Sequence, residues 1–419
     1  MDTAYLCRPV AILAVLIPMA FSSGAERTGN RFVQRQFAIG FWVDPPADER
    51  MDERYREIAD ANFTLVVGGF GAKTDAEIAR QRELCEKYGL GLLVSRHGDT
   101  LDALPDGPAC WGYGLLDEPG PEDFAELARK GRIVRECRPG KLAFSNLLPN
   151  YARRWRHGGS YEDYVRRFCE VVDPDVLCMD HYPHFRPDRD GRDGYCDNLA
   201  TLREYALNYD IPMWNFFNAM PFQDHTDPTE AQIRWQVFTS LAHGARGVLY
   251  FCYQTIPSWE FPKGNALIAR DGSKTHHWYQ AQRINAQLRA WGPTLMRLKS
   301  TLVYRIAPGQ IASKVLEFGP LQDIVRAERD PHHDFLVGLF DHEDGRQAVL
   351  VNNYHYAYSA WPTLAFRADS ADVVELDQGG REIPLHDDSP DLEGWQFRLD
   401  AGAGRLFLMP RIEVPKPQR

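Results

Sequence analysis

The 419-residue sequence has few of the features that mark a metal-binding or nucleic-acid-binding protein. Its eight cysteines stand singly, without the Cys/His spacing of a zinc site, so we predict no metal ion and no other cofactor. A formal net charge of −10 argues against nucleic acid or an anionic membrane surface as a partner. A hydrophobic fraction of 44% and a charged fraction of 25% exclude a disordered or fibrous chain.

The chain also lacks a long apolar run after its first 25 residues, and those residues are typical of a cleavable signal peptide. Arg8 precedes an apolar stretch at 9–21, and the small residues Ser23 and Ala25 stand at the −3 and −1 positions of a cleavage site. The stretch is too short to span a bilayer comfortably. We therefore expect residues 1–25 to be removed, a secreted or periplasmic location and no membrane partner afterwards. In an oxidising compartment, one or two disulfides can form among the seven remaining cysteines.

Residues 34–300 alternate apolar strands with amphipathic helices eight times. The predicted strands are 37–43, 64–68, 91–95, 111–116, 142–145, 175–179, 212–217 and 247–253. Continuous apolar strands that alternate with helices indicate a parallel sheet covered on its faces. Eight such units match a (β/α)8 TIM barrel of the α/β class. A doubly wound open sheet is the rival, but the glycines at 68–71 lack the spacing of its phosphate-binding loop.

After the predicted barrel, the pattern changes to short strands without helices. Apolar runs at 334–340, 347–351, 371–376, 395–399 and 404–409 are separated by turn residues. Successive short strands of this kind indicate an antiparallel arrangement. We therefore predict a small all-β sandwich domain at 301–412, followed by a basic tail at 413–419.

The motif 112–119 gives the sharpest functional signal, because a hydrophobic strand runs directly into two adjacent acids. Asp117 and Glu118 end this fourth strand, and Pro119 stops it. Catalytic residues of TIM barrels lie at the carboxyl ends of the strands, where the side chains converge on one axis. The alternative is that both acids only cap the following helix, whose N-terminus favours negative charge.

These residues resemble the glycoside hydrolases of the broad clan that includes the family-42 β-galactosidases. In that clan, a Glu at the end of strand four, usually preceded by Asn and often followed by Pro, is the general acid/base. The resemblance therefore implies that Glu118 is the acid, and Pro119 matches the following Pro. Asp117 departs from the Asn. The clan's nucleophilic Glu at the end of strand seven has no counterpart in residues 214–219.

Three arrangements can replace the nucleophilic Glu that the seventh strand lacks. Asp180, at the end of strand six, is one candidate for the second carboxylate. Alternatively, Asp117 and Glu118 resemble the Asp-Glu pair of substrate-assisted hexosaminidases of families 20 and 123. In those enzymes, the Asp orients the acetamido group of the substrate and no enzyme nucleophile is needed. Glu260, in the loop after strand eight, is a third candidate.

The other polar and aromatic residues near the strand ends suit a sugar, since aromatic faces stack on pyranose rings while hydroxyls need polar partners. The predicted substrate-binding residues are Trp42, Asp44, Arg96, Asn146, His181, Tyr182, Trp214, Asn215, Tyr253, Trp259 and Glu260. Each aromatic residue of this set has core packing as an alternative role.

The sequence thus predicts an exported glycoside hydrolase that uses Glu118, Asp180 and Asp117 on a carbohydrate substrate. A non-catalytic carbohydrate-binding barrel is a second hypothesis, because the seventh strand lacks its Glu. A metal-dependent hydrolase that uses His97, Asp180 and His181 is a third, although no HxH or HExxH pattern accompanies these residues.

Overall fold

The computed structural model describes residues 29–95, 105–185, 189–256, 264–308, 321–325, 333–391 and 394–412. Eight parallel strands form a nearly closed barrel with helices between the strands, which confirms the predicted TIM-barrel architecture. The barrel strands are β1 (Ala38–Phe41), β2 (Leu65–Val67), β3 (Gly91–Ser95), β4 (Cys110–Asp117), β5 (Leu142–Leu147), β6 (Leu177–Asp180), β7 (Met213–Asn218) and β8 (Gly247–Phe251). From β2 to β8 each strand pairs with the next one in sequence, and β8 pairs with β1, so β1 and β2 form the two edges of the sheet.

Helices follow the barrel strands as predicted, except that the described residues between β3 and β4 contain none, and one short helix is added. They are α1 (Met51–Asp60), α2 (Asp75–Tyr88), α3 (Phe124–Cys137), α4 (Arg154–His157), α5 (Tyr161–Val172), α6 (Arg192–Asn208), α7 (Glu230–Ala242) and α8 (His276–Leu295). Reciprocal hydrogen bonds between Thr229 and Gln232 fix the start of α7, as expected for a capping box. The sequence did not predict α4, because four residues are too few to show a helical period.

Hydrogen bonds close the gap between β1 and β2 and one end of the barrel. Between β1 and β2, the backbone N–H of Thr64 donates to Ile39 O at 2.9 Å, and Thr64 Oγ1 accepts from the N–H of Ile39 at 2.8 Å. At the opposite end of the strands from the functional site, Gln34 accepts the indole N–H of Trp214 at 2.9 Å. The segment before β1 therefore seals the amino-terminal end of the barrel, which leaves the carboxyl end for ligands.

The remaining strands form two antiparallel sheets, which confirms the predicted all-β character of the second domain. These strands are β9 (Leu298–Ile306), β10 (Leu321–Val325), β11 (Phe335–His342), β12 (Gln347–Asn353), β13 (Thr363–Phe366), β14 (Val374–Leu376), β15 (Glu382–Pro384), β16 (Trp395–Gln396) and β17 (Gly404–Met409). One sheet has the order β15-β14-β17-β12-β11-β9, and the other has the order β10-β13-β16. The predicted domain boundary at residue 300 falls inside β9.

The six-stranded sheet buries both of its faces. On one face, Leu350 and Leu406 belong to the same apolar core as Phe238 of α7. On the other face, Val349 and Phe407 belong to a second core, which the three-stranded sheet covers. The alternation of strand residues produces this division, since successive side chains point to opposite faces. The β domain is therefore joined to the barrel through a continuous hydrophobic core.

The described cysteines are all free thiols, so the disulfides considered from the sequence do not form among them. Five of these seven cysteines are buried, and burial raises the pKa of thiols such as those of Cys85 and Cys178. Among the described helices, none has the length and apolar content needed to cross a membrane. The predicted signal peptide at 1–25 and the tail at 413–419 lie outside the described residues.

Candidate functional site

A cleft of about 680 Å³ opens at the carboxyl end of the barrel. It contains the three acids predicted to be catalytic, and its walls carry aromatic and polar side chains. The lining residues that matter here are Trp42, Asp117, Glu118, Asn146, Tyr151, Trp155, Arg156, Asp180, Tyr182, Phe216, Phe222, Gln223, His225 and Phe251. The cleft therefore has the combination of carboxylates and aromatic faces that suits a carbohydrate.

The backbone brings both acids of the fourth strand into this cleft. Asp117 is the last residue of β4, and Glu118 has left the strand with a φ of +47°. Adjacent residues within a strand point to opposite sides, whereas this left-handed turn allows both side chains to line one cleft. The N–H of Glu118 donates to the backbone oxygen of Asn146 at 2.8 Å, which holds the turn in place.

Neither acid caps the following helix, which excludes the structural alternative considered from the sequence. Helix α3 begins only at Phe124, and its N-cap is Asp123. The carboxylate of Asp123 accepts the N–H of Gly120 at 2.8 Å. The carboxylates of Asp117 and Glu118 therefore line the cleft instead of capping the helix.

Asn146 of β5 connects the carboxylates of the strands on its two sides. Its single Nδ2 donates to Asp180 Oδ1 at 2.9 Å and to Asp117 Oδ1 at 3.2 Å. Because the two bonds share one nitrogen, these carboxylate oxygens are at most about 6 Å apart. Asp180 is buried, with 5% of its surface exposed, whereas Asp117 is open to the cleft.

Burial and mutual repulsion make the two aspartates hard to ionise. Burial raises the pKa of Asp117 to about 6, and the negative charge of Glu118 adds to this effect. Solvent reaches Asp117 through the cleft, but the surrounding walls remove much of its hydration. Burial, followed by the charges of Glu118 and Asp117, raises the pKa of Asp180 well above its usual range. The site therefore holds at least one proton under mildly acidic to neutral conditions.

Glu118 has a different environment, because it forms an ion pair with Arg156. Arg156 Nη1 lies 3.0 Å from Glu118 Oε2, and Nη2 donates to the backbone oxygen of Glu118 at 3.3 Å. The side chain of Glu118 is 32% exposed and that of Arg156 is 37% exposed. The only guanidinium paired with a cleft carboxylate in the described residues thus belongs to a helix that the sequence did not predict.

The loop between β5 and α5 contributes a wall of the cleft that sequence reasoning missed. It contains Tyr151, Trp155 and Arg156, and Trp155 is 73% exposed. An exposed tryptophan beside a cleft is unusual, because large aromatic residues are normally buried. The sequence signal available was the run 151–157, in which aromatic and basic residues alternate ahead of the helix at Tyr161.

Several predicted binding residues do lie in the cleft. Trp42 and Tyr182 line it together with Asn146, and Trp42 makes edge-to-face contacts with Phe70 and Phe216. Burial and the nearby Asp180 raise the pKa of Tyr182, so its hydroxyl stays protonated. Direct contact of these three side chains with a substrate remains a prediction.

Two residues of β7 were wrongly predicted to bind substrate. Trp214 is fully buried inside the barrel and packs on Phe144 and Trp111 near its closed end. Asn215 is fully buried behind the strand, where its Nδ2 donates to Tyr195 Oη at 2.6 Å. Strand alternation places these neighbours on opposite sides of the sheet. Neither residue lines the cleft.

Asp44 also has a structural position that corrects its predicted role. It is 1% exposed and accepts the N–H groups of Phe70 at 2.8 Å and Gly71 at 3.0 Å. Gln81 Nε2 donates to its second oxygen at 2.7 Å. Burial raises the pKa of Asp44 although these hydrogen bonds lower it. Its carboxylate is therefore occupied in holding the turn after β2.

Tyr253 and His181 are likewise interior residues rather than cleft residues. Tyr253 is 1% exposed and stacks on Phe41 with ring centroids 4.5 Å apart. His181 is buried, and its Nδ1 lies 3.0 Å from Asn198 Oδ1. Burial lowers the pKa of His181 to about 4, so its imidazole is neutral. The metal-binding hypothesis for Asp180 and His181 loses support, because Asp180 faces Asn146 in the cleft whereas His181 faces Asn198 of α6.

Three predicted binding residues lie outside the described residues, and so does the histidine that only the metal-dependent hypothesis would use. They are Arg96, Trp259, Glu260 and His97. At the end of β7, where the resembling clan has its nucleophile, the described residues Phe217 and Asn218 provide no carboxylate. The Nδ2 of Asn218 donates to Thr226 O at 3.3 Å instead.

No protein-family model matches the chain, and no curated protein sequence matches it. Solved structures do. A catalytic mutant of Gan42B, a GH42 β-galactosidase from G. stearothermophilus, aligns with a TM-score of 0.59 at 9% identity, over 90% of this chain and 98% of that one. A β-galactosidase from Bacillus circulans sp. alkalophilus aligns with a TM-score of 0.56 at 8% identity, over 89% and 99%.

A third alignment, to the β-galactosidase of the psychrophilic Marinomonas ef1, is weaker. It has a TM-score of 0.44 at 11% identity and covers 60% of each chain, so this chain spans about 60% of the length of that relative. At such identities the likeness concerns the fold alone. The chain thus has the TIM-barrel fold of glycoside hydrolases such as the GH42 β-galactosidases, with a small all-β domain behind it.

Proposed function

We propose that this protein is a glycoside hydrolase that cleaves O-glycosidic bonds of a glycan or oligosaccharide by carboxylate acid–base catalysis. One observation carries the proposal. Asp117, Glu118 and Asp180 converge in an aromatic-walled cleft at the carboxyl end of the barrel. Glycosidic cleavage needs a carboxylic acid for the leaving oxygen and a second carboxylate for the sugar carbon or its attacking water. The similarity in fold to two β-galactosidases supports the same class of reaction.

Glu118 is the proposed acid/base, and Asp180 is the proposed second carboxylate. Glu118 is more exposed to the cleft than Asp180, so it is better placed to reach a leaving-group oxygen. Glu118 Oε2 is occupied by its ion pair with Arg156 Nη1, 3.0 Å away. The acid role therefore requires the substrate to displace the half-exposed Arg156 side chain. The raised pKa of Asp180 favours the reverse assignment, in which Asp180 donates the proton and Glu118 is the second carboxylate.

A substrate-assisted N-acetylhexosaminidase is the second candidate, and a hollow beside Asp117 favours it. This space of about 350 Å³ is bounded by Gly68, Gly69, Phe70 and Gly114. Its walls are mostly apolar or lack side chains, which suits an acetamido methyl group. In this mechanism, Asp117 orients the acetamide and Glu118 protonates the leaving oxygen.

The test is hydrolysis of a panel of aryl glycosides, including N-acetylhexosaminides, by the wild type and by Glu118→Gln, Asp180→Asn and Asp117→Asn. Loss of the acid slows substrates with poor leaving groups far more than those with activated ones, because only the former need a proton. That pattern in Glu118→Gln supports the first assignment, and the same pattern in Asp180→Asn supports the reverse. Activity confined to N-acetylhexosaminides and lost in Asp117→Asn supports the substrate-assisted mechanism.

The matched control is Glu126→Gln, since Glu126 is a surface residue of α3 paired with Arg129. It is expected to leave hydrolysis unchanged. Full activity in Glu118→Gln and Asp180→Asn would contradict the site assignment. Sugar binding without turnover, unaffected by Glu118→Gln, would indicate a non-catalytic carbohydrate-binding barrel instead.

We also propose that the protein is exported, on the basis of the signal-peptide pattern in residues 1–25. Expression of the full chain in a bacterium, followed by N-terminal sequencing of the periplasmic or secreted product, tests this. A product that begins at Glu26 is expected. An uncleaved chain confined to the cytoplasm would contradict it.

A further inference from the structure

A second cluster of chemically reactive side chains lies outside the cleft, where the loop before α7 meets the start of α8. It consists of Asp227, His276 and His277, and each offers a ligand atom within 4.8 Å of the others. Two imidazoles and one carboxylate form the ligand set that divalent zinc uses in many proteins. Asp227 is distant in sequence from the two histidines, so no local spacing of residues indicates this group.

The environment of His277 points to a cation. This residue is fully buried, and both of its ring nitrogens face oxygen atoms. Nδ1 lies 2.8 Å from Gln280 Oε1, and Nε2 lies 2.7 Å from Asp227 Oδ1. His277 Nε2 is thus directed at the Asp227 carboxylate while its other ring nitrogen is held by Gln280. Metal-ligating histidines have this arrangement, in which a hydrogen bond at the second ring nitrogen fixes the orientation of the ring.

The distances are close to those of a tetrahedral zinc site. Zinc bonds of about 2.0–2.1 Å to nitrogen and oxygen place neighbouring ligand atoms about 3.3 Å apart. The present separations are 2.7 Å between His277 Nε2 and Asp227 Oδ1, and 4.0 Å between His276 Nε2 and Asp227 Oδ2. The first separation is about 0.6 Å shorter and the second about 0.7 Å longer than this spacing. All three ligand atoms lie within 4.8 Å of one another. His276 and Asp227 can adjust, because their side chains are 62% and 49% exposed.

We propose that Asp227, His276 and His277 form a zinc-binding site with a fourth position open to solvent. The site joins the loop before α7 to the start of α8, next to the ion pair between Glu230 of α7 and Arg283 of α8. Asp227 follows directly on the loop that places Phe222, Gln223 and His225 in the wall of the cleft. His276 and His277 begin α8, which is anchored by the Thr275 cap. Bound zinc thus fixes the wall of the cleft to a long barrel helix.

The experiment uses the full chain after treatment with a chelator and exchange into metal-free buffer. Titration with Zn²⁺ is followed by calorimetry and by thermal unfolding. One equivalent of Zn²⁺ is expected to bind, and Tm is expected to rise with the logarithm of the free Zn²⁺ concentration. Replacement by Co²⁺ is expected to give the intense visible absorption of a four-coordinate site.

Asp227→Asn and His276→Ala are expected to abolish stoichiometric binding and the Tm shift. Because both side chains are exposed, their Tm without metal is expected to stay near that of the wild type. His386→Ala is the matched control, since His386 is exposed and lies 3.5 Å from Asp388. Wild-type protein that binds no Zn²⁺, or a Tm shift kept by both ligand variants, would overturn the proposal and leave a His277–Asp227 ion pair only. This outcome does not depend on glycosidase activity.

Discussion

The guanidinium of Arg156 lies 3.0 Å from the carboxylate of Glu118, and this pair places the only cation in direct contact with the cleft acids among the described residues. The charge of Arg156 also lowers the pKa of Asp117, against the larger raising effects of burial and of Glu118. The charge of Arg156 therefore makes it harder for the group of three acids to hold a proton.

Replacing Arg156 with Gln is expected to move the basic limb of the kcat/KM profile to higher pH. The sign follows because the charge of Arg156 lowers the pKa of Asp117, so the group of three acids retains its proton to higher pH once the cation is gone. Arg154→Gln, on the same short helix but outside the cleft lining, is the control. A limb that stays in place or moves to lower pH in Arg156→Gln would contradict this role.

Asp180→Asn is expected to stabilise the fold while it lowers activity. The pKa of Asp180 is raised in the folded state, mainly by burial and then by the charges of Glu118 and Asp117. Ionised Asp180 therefore costs stability above its folded pKa, and it costs nothing below the pKa of an unfolded aspartate, near 4. The gain in free energy of unfolding is expected to be on the order of 1 kcal/mol at pH 8 and to vanish toward pH 3. Denaturant unfolding across this pH range measures it, and a gain that grows as the pH falls would refute the argument.

Trp155→Ala is expected to raise KM about tenfold with little change in kcat. Trp155 is exposed on the wall of the cleft, so we expect it to stack on a sugar away from the reacting bond and to contribute equally to ground-state and transition-state binding. Trp361→Ala is the matched control, because Trp361 is 55% exposed but belongs to the β domain. Steady-state kinetics distinguish the two. Equal effects of both substitutions would remove Trp155 from the binding surface.

Gly338→Ala is expected to destabilise the protein by about 1–3 kcal/mol or more. Its added Cβ would overlap the backbone oxygen of Ala242, where β11 packs on the end of α7. Gly131→Ala is the control, because a Cβ at Gly131 in α3 comes no closer than 3.8 Å to Ala143. There we expect a gain of about 0.5–1 kcal/mol from helix propensity. Thermal unfolding measures both, and a harmless Gly338→Ala would mean that the sheet does not pack closely on α7.

The positions of the cleft acids were predictable from the sequence, whereas the directions of several other side chains were not. Asp117, Glu118 and Asp180 stand where apolar strands end, and strand ends of a parallel barrel meet at one face. Trp214 and Asn215 lie near the start of β7 rather than at its carboxyl end, and one faces the closed interior while the other faces the helices. The composition of that strand is apolar on both sides, so its sequence gave no alternation from which to assign the faces.

The sequence by itself determined the order of strands and helices, the change to β structure after the barrel and the acids at the ends of β4 and β6. These depend on local periodicity and on strand-end chemistry, which a single chain displays. Only the tertiary structure decided that Arg156 neutralises Glu118, that Asn146 bridges Asp117 and Asp180, and that Asp227 meets His277. Barrel closure creates these contacts between residues far apart in the chain, and no local pattern encodes them.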